Sequence, residues 1–201
     1  PAMILRVVDR NGVTIFEADQ PLRTSVIAEE YAYQITSVLS DRNARAPMFG
    51  TNSALDLPFE AAVKTGTTND FRDNLTLGYT PKLTVGVWVG NPDYTPMIST
   101  TGLSGAAPIW NEFMQSAETL RGVSGIFRRP AGIVDLQVCS LSGTTPSASC
   151  GARRMEIFAA YQGPLPETED LLQKTWINTW SGLRANEFCP ENNEEVMTIN
   201  I

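Results

Sequence analysis

The stretch from Ala61 to Asn74, AAVKTGTTNDFRDN, places a lysine, a glycine and three hydroxyls together behind a short apolar run. One chemistry that uses such a cluster is phosphate binding. A P-loop needs glycine before its lysine so that backbone amides wrap the phosphates, and no Gly-Lys dipeptide occurs anywhere in the chain. A catalytic strand fits the spacing better. In an extended segment Thr65 and Thr67 share one face while Lys64 and Gly66 share the other. Two hydroxyls two residues apart can donate to one carboxylate of a ligand lying along the strand, and the Lys64 ammonium supplies positive potential. Gly66 leaves the lysine side open to close approach, and the amide of Thr67 can face an oxyanion if the strand edge is free. The plainer alternative is a strand that ends in a solvated polar turn, TTNDFRDN.

The surrounding elements are legible from pattern. MILRVVDRNGVTIFEAD is two alternating apolar runs about Asn11-Gly12, which predicts a β-hairpin. A helix follows, with Thr24 or Ser25 as cap, Glu29 and Glu30 in its first turn, and Ile27, Tyr31, Ile35 and Val38 or Leu39 at helical spacing. SDRNARAPMFGTNSALDLP, broken by Pro47, Gly50 and Pro58, reads as a surface loop. Strands are expected over residues 61–65, 75–79 and 83–89, the last two joined by Thr80-Pro81-Lys82. Pro108 then opens a helix with Ile109, Trp110, Phe113, Met114, Ala117 and Leu120 on one apolar face and Gly122 at its end. A helix packed across an antiparallel meander makes an α+β layer. RGVSGIFRRPAG reads as a linker to a small β-rich, acidic extension, so the expected division is residues 1–125 and 126–201.

Bulk properties bound the function. A chain of 201 residues that is 42% hydrophobic and 18% charged can bury a core, and its net charge of -7 argues against nucleic acid as a partner. From Met155 onward eight acidic residues stand against Lys174 and Arg184. No window approaches a membrane span, so membrane association is expected only through an upstream anchor. The opening PAMILRVVD already reads as strand, as if cut from a longer protein. Cys139, Cys150 and Cys189 are the only cysteines and histidine is absent, a poor set for zinc, so neither metal nor cofactor is expected. CSLSGTTPSASC reads as a loop that a Cys139 to Cys150 disulfide closes in an oxidising compartment, with three unpaired thiols as the alternative.

VKTGTTNDFRDNLTLGYTPKLTVGVWVGN, residues 63–91, closely resembles the third active-site motif and following strands of the transpeptidase domain in class A penicillin-binding proteins. LSDRNARAPMFG, GLSGAAPIWNEFM, GIVDLQVCSLSG and EFCP extend the likeness over most of the chain. The resemblance implies a partial penicillin-binding/β-lactamase-like fold on the extracytoplasmic face of a bacterial membrane, with peptidoglycan stem peptides and β-lactams as ligands. It implies that Lys64 supports the proton network, that the hydroxyls of Thr65 and Thr67 hold the substrate carboxylate beside Gly66, and that the Thr67 amide is one of two oxyanion donors. The implied reaction is acyl transfer, in which a serine attacks a D-Ala-D-Ala bond and an amine resolves the acyl-enzyme. The chain departs from the family in lacking its nucleophile. Ala61, Tyr79 and Leu171 stand three residues before the only lysines, so there is no Ser-x-x-Lys, and there is no Ser-x-Asn. The chain alone is therefore expected to be inactive, with a non-catalytic cell-wall binding or scaffolding module as the rival. Asp70, Arg72 and Asp73 read as a solvated turn, Trp88 as sheet packing, Trp110 as core, and Asn74-Leu75-Thr76 as a sequon without use. Trp176 and Trp180 read either as an ordinary strand or as sugar-stacking rings.

Overall fold

A computed structural model describes residues 4–18, 25–188 and 193–199. The expected hairpin is β1 (Arg6–Val8) and β2 (Thr14–Glu17), antiparallel, with the Asp9 carboxylate accepting from the amides of Asn11 and Val13 and Gly12 at φ +82° in the turn. Helix α1 (Glu29–Ser40) carries Glu29 and Glu30 in its first turn but has no side-chain cap. Thr24 lies outside the described residues, and Ser25 Oγ donates to the Ile27 carbonyl instead. The expected inner face of α1 is corrected: Ile27 precedes the helix, and Tyr31, Ile35 and Val38 are exposed while Thr36 is buried. The cause is polar satisfaction. Thr36 Oγ1 bonds the Ala32 carbonyl and, at 2.8 Å, the Tyr79 hydroxyl, while Gln34 donates to the Ile157 carbonyl.

The segment after α1 is not a surface loop. Asp41 caps a second helix, α2 (Arg42–Phe49), by accepting from the amides of Asn43 and Ala44, and Leu55 and Leu57 beyond it are buried in the core. Eight residues containing a proline are too few to display helical periodicity in sequence. Asp56 anchors this segment. Burial works against its ionisation, but the Ser53 amide and hydroxyl and the Arg45 guanidinium outweigh that and hold its carboxyl below the usual range.

Strands β3 (Ala62–Thr67), β4 (Asp73–Tyr79) and β5 (Thr84–Gly90) form an antiparallel sheet in that order, with Lys64 opposite Leu77 and Thr67 opposite Asn74. Thr80 Oγ1 closes the β4–β5 turn by accepting from the amides of Lys82 and Leu83. Helix α3 (Ala106–Arg121) lies on the face that carries Val63, Thr76 and Val87, and ends at Gly122, φ +58°. Trp110 and Met114 are fully buried against Leu55, Leu57, Ala61, Val63 and Ala107. Strand and helix approach so closely that a Cβ on Gly78 would fall 2.4 Å from the Trp110 ring. The expected single apolar face divides: Ile109, Phe113 and Leu120 are exposed, because three strands cover only part of so wide a stripe.

The expected linker is pinned. Val123 is buried, its carbonyl accepts from Thr80 Oγ1 at 2.6 Å, and Phe127 packs edge-on against Tyr79. A hairpin of β6 (Ile133–Cys139) and β7 (Arg153–Ala159) follows and meets α1 through Gln34, Tyr31 and Tyr161. Cys139 and Cys150 are joined as a disulfide with Cα atoms 5.8 Å apart, and Cys189 lies outside the described residues. Beside them the buried Asp170 accepts from Ser147 Oγ and the Leu172 amide, which hold its carboxyl below the usual range. Strands β8 (Leu172–Asn178) and β9 (Asn193–Ile199) form a last hairpin. Among the described residues no helix is long and apolar enough to cross a membrane.

Candidate active site

The structure brings Lys64, Thr65, Gly66 and Thr67 together at the end of β3, whose second edge has no strand partner among the described residues. The Thr68 amide donates to the Asp73 carbonyl on β4 at 3.0 Å. Since amides alternate along a strand, the N–H groups of Thr65 and Thr67 point to the open edge. Lys64 is exposed, and its ammonium reaches the Thr65 carbonyl at 2.6 Å, so the positive charge lies on that edge too. Thr65 is half-buried and Thr67 exposed, their side chains on the face toward α3. The alternation expected of the strand is therefore present.

The run GLSGAAPIWNEFM, which in sequence carries part of the family likeness and no assigned site role, supplies the residue that backs Thr67. The Gly102 amide donates to Thr67 Oγ1 at 3.0 Å, which occupies a lone pair and leaves the hydroxyl proton free to be given to a ligand. Gly102 also accepts from Thr76 Oγ1 and from the Ala107 amide, so one residue ties β3, β4 and the first turn of α3. Its position demands glycine: a Cβ there would lie 2.6 Å from the Gly66 carbonyl oxygen and 2.7 Å from that of Leu75. Its sequence signal is the run GLSG, which belongs to the family likeness but by local pattern alone looks like an ordinary loop before the helix. Asn74, opposite Thr67, is fully buried beneath Gly105, which removes its sequon from any modifying enzyme.

At Gly66 the fold itself makes no demand. A Cβ would meet Leu75 at 3.5 Å, ordinary van der Waals contact. The turn after β3 is exposed to solvent over residues 67–71, as expected, and local contacts order it. Asp70 and Phe71 adopt φ of 60° and 55°, Arg72 stacks 5.0 Å from the Tyr94 ring, and Asp73 accepts from Thr68 Oγ1 and from the half-exposed Trp88 indole. Trp110 is core, as its place on the helix suggested. Cys139, Cys150 and Asp170 gather in the β6–β7 region, away from the Lys64 edge in the topology; a sulfur pair joined to itself offers no thiolate to a metal.

No family model matches the chain. Among curated proteins it is similar to penicillin-binding protein 1A of Clostridium tetani, at 31% identity over 170 residues that are 83% of this chain and 21% of that protein. Penicillin-binding protein 2D of Bacillus subtilis is 27% identical over 90% of this chain, and penicillin-binding protein 1C of Escherichia coli is 25% identical over 94%. The chain spans between 21% and 29% of the length of these relatives. Its fold is similar to the crystal structure of penicillin-binding protein 1A from Haemophilus influenzae, with a TM-score of 0.55, 22% identity, and coverage of 82% of this chain and 29% of that one. With likeness in sequence over most of its length and likeness in fold beside it, this chain belongs to the penicillin-binding proteins, of which it spans a minor part.

Proposed function

We propose that the chain is the substrate-cradling part of a peptidoglycan D,D-transpeptidase that works by serine acyl transfer and is acylated by penicillin. The observation that carries this is the open edge of β3, to which the Lys64 ammonium reaches and the amides of Thr65 and Thr67 point, with the Thr67 hydroxyl held on the adjoining face by the Gly102 amide. An extended stem peptide or a β-lactam lies along that edge. Thr65 and Thr67 donate to its carboxylate, and the Thr67 amide donates to the oxyanion that develops when the acyl carbon is attacked. The Lys64 ammonium stabilises the anionic ligand and joins the proton network of a serine supplied by the rest of the polypeptide. Gly66 supports this assignment, because a Cβ there meets only Leu75 among the described residues, at ordinary contact distance, so the packing does not demand glycine and the absent side chain leaves room for a ligand. Residues 1–125 form this part and residues 126–201 an extension braced against α1, the whole acting on the extracytoplasmic face of the membrane.

Without a Ser-x-x-Lys segment the chain alone forms no acyl-enzyme. The test is labelling by a fluorescent penicillin, with this chain and the full-length polypeptide compared. We expect labelling of the full-length protein only, loss of it in Lys64→Ala, and at least about tenfold slower acylation in Thr67→Val, the range for a hydrogen bond to a charged group. Unchanged acylation in both variants would sink the assignment. A parent gene with no Ser-x-x-Lys upstream of Pro1 would favour the non-catalytic module.

A further inference from the structure

We infer that Asn74 is a positioning residue for the carboxylate cradle and acts through Thr67. The inference rests on the acyl-transfer reading and adds to it a group that no ligand touches. Asn74 pairs with Thr67 across β3 and β4, and paired residues of an antiparallel ladder carry their side chains to the same face, here the one toward α3. It is fully buried, yet neither Oδ1 nor Nδ2 has a hydrogen-bond partner among the described residues. An amide offers two donors and two acceptor lone pairs, and leaving them unmet in the interior costs free energy that an apolar side chain would not. Asn74 is the one buried side chain among the described residues that leaves two atoms in this state, and it stands beside the hydroxyl assigned to the ligand.

What the amide addresses is the loop from Ser99 to Gly105. Nδ2 lies against Gly105, where a Cβ would come within 2.8 Å of it. The same loop carries Thr100, whose Oγ1 is likewise buried and without a partner among the described residues, and Ser99, whose φ of +49° is unfavourable for a residue with a Cβ. Ties from this loop to the sheet run through Gly102, whose amide donates to Thr67 Oγ1 and whose carbonyl accepts from Thr76 Oγ1. The loop is thus fastened to Thr67 while the Asn74 amide beneath it makes no hydrogen bond to it. A ligand shifts a structure only by making one state better bonded than the other. When a carboxylate accepts the Thr67 hydroxyl hydrogen bond, Gly102 follows Oγ1, the loop settles on β4, and the Asn74 amide closes hydrogen bonds that the free chain lacks. Bonds formed only with the ligand in place strengthen the hold on its carboxylate.

The test measures the second-order rate of acylation of the full-length polypeptide by a fluorescent penicillin, for Asn74→Val, Thr67→Val and the double variant. Asn74→Val should acylate about fivefold or more slowly, the worth of a lost hydrogen bond, and should add no more than about twofold once Thr67 is replaced. In this chain alone Asn74→Val should unfold in urea at a midpoint no lower than the parent, because an unmet amide gives way to an apolar strand former. Asn74→Ala, which cannot overpack, should slow acylation to the same degree. Acylation within about twofold of the parent in both Asn74 variants would overturn the inference. So would equal slowing with and without the Thr67 hydroxyl, or slowing matched by a lower urea midpoint in both variants, the mark of a merely structural residue. If Thr67→Val itself acylates at the parent rate, the acyl-transfer reading falls and this inference with it. Slowing in Thr67→Val without slowing in the Asn74 variants sinks this inference alone.

Discussion

Replacing Gly102 with alanine should dislodge the wall behind Thr67. The added Cβ would sit 2.6 Å from the Gly66 carbonyl oxygen, 2.7 Å from the Leu75 carbonyl oxygen and 3.1 Å from the Gly66 nitrogen. All three are backbone atoms of a paired β3–β4 ladder, so no side chain can swing away, and the 101–105 loop must lift instead. Overpacking of this kind costs about 1–3 kcal/mol. The lift also breaks the Gly102 to Thr67 hydrogen bond, a further contribution of about 0.5–1.5 kcal/mol. The expected loss is therefore about 1.5–4.5 kcal/mol, read from urea unfolding followed by tryptophan fluorescence, with Trp110 as the buried reporter. Gly151→Ala is the control: a Cβ there meets nothing within 4 Å, and its cost should stay within about 0.5 kcal/mol. If Gly102→Ala unfolds within about 0.5 kcal/mol of the parent chain, the close approach does not constrain the loop and the reasoning fails. In the full-length polypeptide the same variant should slow acylation by penicillin, since the hydroxyl of Thr67 loses the donor that orients it.

The two apolar stripes of α3 should respond differently to truncation. Met114→Ala is expected to cost about 2–5 kcal/mol because its side chain is fully buried, whereas Leu120→Ala, 81% exposed, should stay within about 0.5 kcal/mol; equal losses in equilibrium unfolding would show that the described packing is wrong. Asp170 should make the extension acid-sensitive. Its folded pKa lies below its unfolded value, chiefly through the Ser147 hydroxyl, so its stabilisation is present above about pH 3.9 and is lost as pH falls through the lower folded value. Hydrogen exchange of the β8 amides should accelerate across that acid range in the parent chain and lose its pH dependence in Asp170→Asn; a parent profile flat down to pH about 2 would refute the assignment.

Much of this protein was legible in one dimension, for local reasons. Asn11-Gly12 and Thr80-Pro81-Lys82 dictate their turns through backbone geometry available to only a few residues, and the alternation of Val85, Val87 and Val89 needs no distant partner to read as strand. The run from Val63 to Asn91 carried the family because motif order and spacing survive in the chain whatever the fold does with them. What failed were statements about which side faces inward. The face of α1 was misassigned because Thr36 and Gln34 are satisfied by Tyr79 and Ile157, residues 43 and 123 positions away. Asp41 to Leu57 was misread because a short helix shows no period and because Leu55 and Leu57 become core only when α3 arrives.

The sequence by itself determined the residues of the candidate site, the strands that bear them and the alternation that separates Lys64 from Thr65, since each follows from backbone geometry within a few residues. Only the tertiary structure decided that β3 lies at a sheet edge with Thr67 amide outward, and that Gly102, 35 positions from Thr67, holds its hydroxyl. Edge and contact are properties of how segments pack, and packing energy depends on partners that no local window of sequence contains.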